Sequence, residues 1–263
     1  LDKENFMKRL LLIVLPLLLI IGCSKPISEE TLIDKDGLKY HPDTKELYSG
    51  KVFTNFIGGK PKLEGSYKDG LMNGKWTYWY ENGQKKSEGI LKDGKEISRT
   101  QWEYYSNGQR KNETTYIYGE KTGPFTKWYE NGQKDWEGTY KDGKKDGLYT
   151  RWFENGQKMI DVKFKDGKKD GLSTWWYENG QMSYEGTFKD GKKDGLSTWW
   201  YENGQKKEEG TFKIFQVRTY KYSKNHGLLT NWYESGQKKY EITYKDGEEI
   251  SKKEWNEDGS VKE

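Results

Sequence analysis

LSTWWYENGQMSYEGTF, residues 172–188, is a run of aromatic and β-branched residues broken at Asn179-Gly180. Asn-Gly between two such runs is the strongest short-range hairpin signal, because a type I′ turn needs positive φ at both central positions. A helix is not expected here, since glycine recurs too often and no apolar period of 3.6 survives. The corner itself returns along the chain. WYENGQ stands at 79–84, 128–133, 176–181 and 200–205, with YYSNGQ at 104–109, WFENGQ at 152–157 and WYESGQ at 232–237. Catalysis needs its constellation once, whereas a hexapeptide written this often is architecture.

With the turn glycine as marker the series is Gly59, Gly83, Gly108, Gly132, Gly156, Gly180, Gly204, Gly236 and Gly259, in steps of 23–25 residues except for 32 between Gly204 and Gly236. FKDGKKDGLSTWWYENGQ occurs unchanged at 164–181 and 188–205. The expected fold class is therefore all-β: an elongated array of about nine tandem antiparallel β-hairpins, an open sheet or solenoid. It would span 39–263, after a signal segment (1–22) and a linker (23–38). One hairpin cannot order itself in water, but stacked neighbours bury its rings and close its ladders. KDGKKDG (165–171 and 189–195) reads as the flexible polar turn into the next hairpin.

A two-residue Asn-Gly loop would put Trp176, Thr174, Gln181 and Glu185 on one face, and Tyr177, Trp175, Met182, Tyr184, Gly186 and Phe188 on the other. The first face then carries an aromatic column, Trp79, Trp128, Trp152, Trp176, Trp200 and Trp232, and an acidic column that includes Glu137, Glu185 and Glu209. Glu185 is expected to face Thr174 across the hairpin.

The amino-terminal end reads differently. Residues 1–6 precede Met7 and are taken as upstream sequence; Lys8, Arg9 and the apolar run Leu10–Ile21 then form an export signal. The run is too short for a membrane span, which needs about 20 apolar residues. Ile20-Ile21-Gly22-Cys23 resembles the bacterial lipobox, which implies acylation of Cys23 and an exported protein lipid-anchored to a bacterial membrane. That is the outer membrane in a Gram-negative cell and the outer face of the cytoplasmic membrane otherwise. Cys23 is the chain's only cysteine, so no internal disulfide forms. The mean hydropathy of −1.17 suggests disorder, but 16% aromatic residues argue against it. Removing residues 1–22 leaves 43 basic against 40 acidic residues, interspersed, with no basic patch for nucleic acid.

Trp176-Tyr177-x-Asn179-Gly180, followed by Glu185-Gly186-x-Phe188-x-Asp190-Gly191 and recurring in register over roughly 50–263, resembles the bacterial variant of the membrane occupation and recognition nexus (MORN) repeat. The resemblance implies a single-layered hairpin sheet acting as a scaffold or binding surface. Proteins with these repeats are often labelled YwqK-type antitoxins of toxin–antitoxin pairs. The export signal departs from that label, because an antitoxin outside the membrane cannot restrain a cytosolic toxin.

No zinc-protease, nucleophile-elbow or phosphate-loop motif is present, and His41 and His226 stand alone. The expectation is no enzyme, no cofactor and no metal, but a membrane-anchored protein-interaction scaffold. Its alternatives are a glycan-binding module using the tryptophan column and an antitoxin-like partner of a toxin. The eight extra residues within 213–227 place Phe215, Val217, Tyr220 and Tyr222 in a lengthened hairpin or a contact loop.

Overall fold

The computed structural model describes residues 25–217 and 220–263, which fall into two compact units divided after Arg99. The signal segment and Cys23 lie outside the described residues. Both units are all-β, and the only helical turn among the described residues is the 3-10 segment Glu29–Thr31.

In the first unit the strands Gly50–Asn55, Pro61–Lys68, Gly74–Trp79 and Lys85–Lys92 pair antiparallel in chain order. Leu32, Tyr48, Val52, Tyr67 and Trp76 form its buried core. Ile27–Ser28 pairs in parallel with Val52–Phe53, covering the outer edge of the first strand of this ladder. The stretch read as linker thus holds ordered structure: this short strand, the 3-10 turn and the hairpin Ile33–Lys35/Leu38–Tyr40.

In the second unit Arg110–Ile117, Glu120–Trp128, Lys134–Lys141, Gly147–Trp152, Lys158–Lys165, Lys168–Trp176, Met182–Lys189, Lys192–Trp200, Lys206–Val217, Tyr220–Trp232, Lys238–Lys245 and Glu248–Glu254 pair antiparallel, each with the next. Packing is concentrated on one face, where Trp175 meets Tyr184 with centroids 4.5 Å apart and Tyr184 meets Trp199 at 5.0 Å. Gly138 leaves room for the Tyr149 ring, which lies 2.7 Å from where a Cβ would stand.

All nine marker glycines sit in corners with one hydrogen-bond pattern. At the corner of 177–181, Tyr177 N–H donates to Gln181 C=O (2.8 Å) and Gly180 N–H to Tyr177 C=O (2.9 Å). This corrects the expected turn. The loop has three residues, Glu178-Asn179-Gly180, and the positive φ falls on Gly180 (85°) but not on Asn179. The two-residue type I′ turns are instead the Asp-Gly pairs, such as Asp166 (φ 50°) and Gly167 (φ 81°) between the paired Lys165 and Lys168. The segment read as a flexible connection is the tighter hairpin.

The face assignment changes at two positions for the same reason: Gln181 closes the corner opposite Tyr177 instead of sharing the Trp176 face, and Met182 moves to that face. A register shift between Trp175 and Trp176 follows the three-residue loop, and Met182 pairs with Trp176. In neighbouring repeats the residue at Met182's position lies on the tryptophan face: Lys158 bonds Asp161 (2.8 Å) and lies over the Trp176 ring (5.8 Å).

Candidate functional site

The corner hexapeptide builds contacts between repeats, which its sequence alone did not disclose. The Tyr105, Tyr129, Tyr177, Tyr201 and Tyr233 hydroxyls donate to the backbone carbonyls of Trp128, Trp152, Trp200, Trp232 and Trp255 in the following repeat, at 2.7–3.0 Å. Asn179 Oδ1 accepts Gln181 N–H (2.9 Å), holding the loop, while its Nδ2 donates to Glu202 C=O of the next repeat (2.9 Å). Asn107, Asn131, Asn155 and Asn203 reach forward in the same way, to Glu130, Glu154, Glu178 and Glu234. This forward reach uses the Asn side chain, and it accounts for an Asn-Gly pair in which only glycine needs the left-handed region.

Within the second unit Trp128, Trp152, Trp176, Trp200 and Trp232 take the same strand position in successive hairpins, and Trp79 takes it in a hairpin of the first unit. Trp79, Trp128, Trp152, Trp176, Trp200 and Trp232 are all half-buried. Lys134, Lys158 and Lys206 of the preceding repeats lie over Trp152, Trp176 and Trp232, at 5.6, 5.8 and 5.8 Å from the ring centroids. Lys134 and Lys206 also pair with Glu137 and Glu209 three residues on. The acidic column interleaves with threonine: Glu185 stands opposite Thr174 on one side and Thr198 on the other, and Glu137 opposite Thr126 and Thr150. Thr198 Oγ1 donates to Glu209 (3.2 Å). These carboxylates are partners in a repeating Lys–Glu–Thr lattice.

The opposite face holds a second series that no sequence motif marks. Lys145, Lys169 and Lys193 follow the Asp-Gly turns and fold back among rings. Lys193 Nζ is 4.2 Å from the Trp199 centroid, 4.7 Å from Phe212 and 5.4 Å from Tyr184. Lys145 is similarly set among Trp136, Tyr149 and Phe164. Burial pushes all three ammonium pKa values below the ordinary lysine value. This face also differs most from repeat to repeat. At Trp175's position other repeats carry Tyr78, Glu103, Lys127, Arg151, Trp199 and Asn231, and buried Asp135 bonds both Lys127 (3.2 Å) and Arg151 (3.1 Å).

Trp79 has a further setting. In the first unit it lines a cleft of about 930 Å³ with Phe53, Glu64, Lys75, Lys85 and Glu88, walled on one side by Lys25 and Pro26. Glu88 bonds Lys75 and Lys85, each at 2.8 Å; these pairs outweigh its burial and hold its carboxyl below the usual range.

The insertion lengthens its hairpin. Phe215 pairs with Tyr222 and Val217 with Tyr220 in unbroken register. Phe215 is half-buried, and the side chains of Val217, Tyr220 and Tyr222 lie outside the described residues. Among the described residues no group of His, Cys, Asp and Glu is arranged to hold a metal, and no helix is long and apolar enough to cross a membrane.

The profile of the MORN repeat variant family matches residues 72–93, 121–142, 145–166, 169–190, 193–213 and 225–246. Each match brackets one Asn-Gly-type corner with its two strands. No curated protein matches the sequence. Among solved structures, the crystal structure of TcdB2-TccC3-Cdc42 aligns at 10% identity over 85% of this chain and 14% of that one, with a TM-score of 0.23. TcdB2-TccC3 without its hypervariable C-terminal region aligns at 9% identity over 78% and 12%, with a TM-score of 0.26. The Photorhabdus luminescens Tc holotoxin pore aligns at 10% identity over 85% and 14%, with a TM-score of 0.23. The chain spans at most 14% of those chains.

Proposed function

This chain is a MORN-repeat protein, and from that premise we propose that it is a non-catalytic protein-interaction scaffold at the bacterial cell envelope, tethered through a lipidated Cys23. The observation that carries the scaffold reading is the contrast between its two faces. In the five repeats from Trp128 to Trp232 the Lys–Glu–Thr–Trp side changes only by Asp161 for a glutamate and Met182 for a lysine, while the aromatic side changes charge and shape from Lys127 and Arg151 to Trp175, Trp199 and Asn231. A rigid ladder that varies one face is suited to reading a partner along its length. The absence of catalysis is part of the proposal, supported by Glu137 and Glu209 being committed to lysines of the same strand.

The full chain would be offered to envelope extracts beside a folded variant with its aromatic-side residues exchanged among repeats. Capture of the same proteins by both ends the scaffold reading. For the anchor, metabolic labelling with a clickable fatty acid should mark the wild type, and Cys23→Ser should lose the label and leave the membrane fraction. Retained labelling removes Cys23 from the proposal.

A second reading, binding of wall or surface glycans, has one observation in its favour. Trp79 lines an open cleft, whereas Trp152, Trp176 and Trp232 have lysines across their rings. Trp79→Ala should then abolish retention on polysaccharide while Trp176→Ala spares it. An antitoxin-like role is a narrower form of the scaffold reading, in which the partner is a toxin encoded next to this gene. Co-purification with that neighbour's product tests it.

A further inference from the structure

A very polar surface carries one regular apolar feature. Leu148, Leu172, Leu196 and Leu228 are 56%, 52%, 54% and 52% exposed. Each follows the glycine that ends the bulge after an Asp-Gly-type turn, or its counterpart in the inserted hairpin, and pairs with Lys163, Thr187, Thr211 or Thr243 across its own hairpin. Each stands two residues before a buried threonine of the Thr–Glu lattice, Thr150, Thr174, Thr198 or Thr230, and so on the tryptophan face. Four consecutive hairpins of the second unit therefore place one leucine each in a row across the strands. Exposed single leucines need no explanation, but a row at a fixed interval does.

The interval selects what can lie on it. Two strands at about 4.8 Å give roughly 9.6 Å per hairpin. An α-helix lying across the strands rises about 10.5 Å in seven residues, so a heptad pattern meets every leucine. An extended peptide brings same-side residues only every 6.6–6.8 Å or so and falls out of step. The row alone is also too small for a stable pair of copies, since four half-exposed leucines supply well under the roughly 800 Å² per side that such interfaces bury. Charge sets the flank. The row runs beside the Asp-Gly corners, whose Lys-Asp-Gly-Lys-Lys-Asp-Gly sequence carries three lysines for two aspartates, a net positive edge; Lys141, Lys144, Lys165, Lys168 and Lys189 are exposed there.

We infer that Leu148, Leu172, Leu196 and Leu228 form the docking line for an amphipathic helix of a partner protein, with an apolar residue at every seventh position and carboxylates on the flank facing the Asp-Gly corners. The inference deepens the scaffold reading and rests on it. It places the helix on the uniform face, leaving the variable face for discrimination.

The probe is a labelled 24-residue peptide with leucine at every seventh position and glutamate along one flank. Its controls move the leucines to every fifth position or replace the glutamates with lysine. Titrated with the full chain, the heptad peptide should bind saturably and both controls at least tenfold more weakly. Leu172→Gln/Leu196→Gln, exposed positions whose exchange leaves the melting temperature in place, should weaken the heptad peptide at least tenfold. Equal binding of all three peptides, no saturable binding of the heptad peptide, or equal binding by the leucine variant overturns the inference. Sedimentation of the free chain as a dimer that the leucine exchange dissociates also overturns it, assigning the row to a second copy. Envelope capture separates the two levels: partners held equally by wild type and leucine variant sink this inference alone, whereas capture no different from the exchanged-face control sinks the scaffold reading.

Discussion

Phe153 occupies the corner position at which Tyr105, Tyr129, Tyr177, Tyr201 and Tyr233 each donate a hydroxyl to the next repeat. Phe153→Tyr should restore the missing donor to Trp176 C=O and add about 0.5–1 kcal/mol, while Tyr177→Phe should lose about 1 kcal/mol. Urea unfolding of both variants checks this, and equal midpoints would mean the hydroxyls contribute nothing. Ring burial has its own signature. Burial raises the Tyr149 and Tyr184 hydroxyls above the ordinary tyrosine value, and it lowers Lys145, Lys169 and Lys193. A raised tyrosine pKa contributes stability that is present below about pH 10 and lost as pH climbs through the folded value. The lowered lysines act oppositely: their cost at neutral pH is relieved as pH rises toward about 10.5. The melting temperature should therefore hold or rise slightly up to about pH 10 and fall beyond it, with part of the phenolate absorbance at 295 nm appearing only on unfolding. Phenolate absorbance of the folded protein near pH 10 equal to that of the unfolded chain at the same pH would contradict the burial of these rings.

At the scale of the element, the two kinds of corner exchanged the roles that local sequence suggests. Asn-Gly and Asp-Gly carry nearly the same local preference for a type I′ turn, so nothing within the hairpin tells them apart. The difference lies in the next repeat, where Glu202 C=O waits for Asn179 Nδ2, and a lone hairpin's sequence does not contain that contact. The hairpin, the Glu185–Thr174 pairing and the aromatic packing of Trp175 on Tyr184 were legible because they follow from period-two alternation. The side of Met182 was not, because one bulge residue inverts it. Two glycines separate turn strain from contact between repeats. Gly204 and Gly143 both have positive φ, 82° and 74°, but a Cβ on Gly204 would stand 2.5 Å from Gln181 Oε1 while one on Gly143 meets nothing within 4 Å. Gly143→Ala should cost about 1 kcal/mol from backbone strain alone. Gly204→Ala should cost only slightly more, because the flexible end of the Gln181 side chain must give way. If Gln181→Ala does not remove that excess, the glutamine contact is not its source.

At the scale of the whole molecule, the repeat count and the antiparallel order were legible from the glycine spacing, while the surfaces that distinguish one repeat from another were not. The Lys145, Lys169 and Lys193 series and three of the four leucines of the row sit in KKDGL segments that look like loop filler until the Asp-Gly turn fixes their faces. Their placement depends on register, and register makes its own prediction. Residues 164–181 repeat without change at 188–205, so deleting 164–187 joins Lys163 to Phe188 with the native local sequence and removes one period. Every later side chain keeps its face, and only one set of neighbour contacts is lost from a stability that is a sum over neighbours. That chain should fold cooperatively with a melting temperature a few degrees lower. Deleting 164–186 instead leaves Thr187 as one extra residue, and in a strand a one-residue slip turns the apolar set to the other face. Either Phe188 and Lys193 then leave the aromatic side, or the ladder must open a bulge beside them, and loss of cooperative unfolding is expected. Thermal melts followed by tryptophan fluorescence compare the two deletions directly. Equal stability would show that these hairpins tolerate slippage, and the assignment of every column to a face would fall with it.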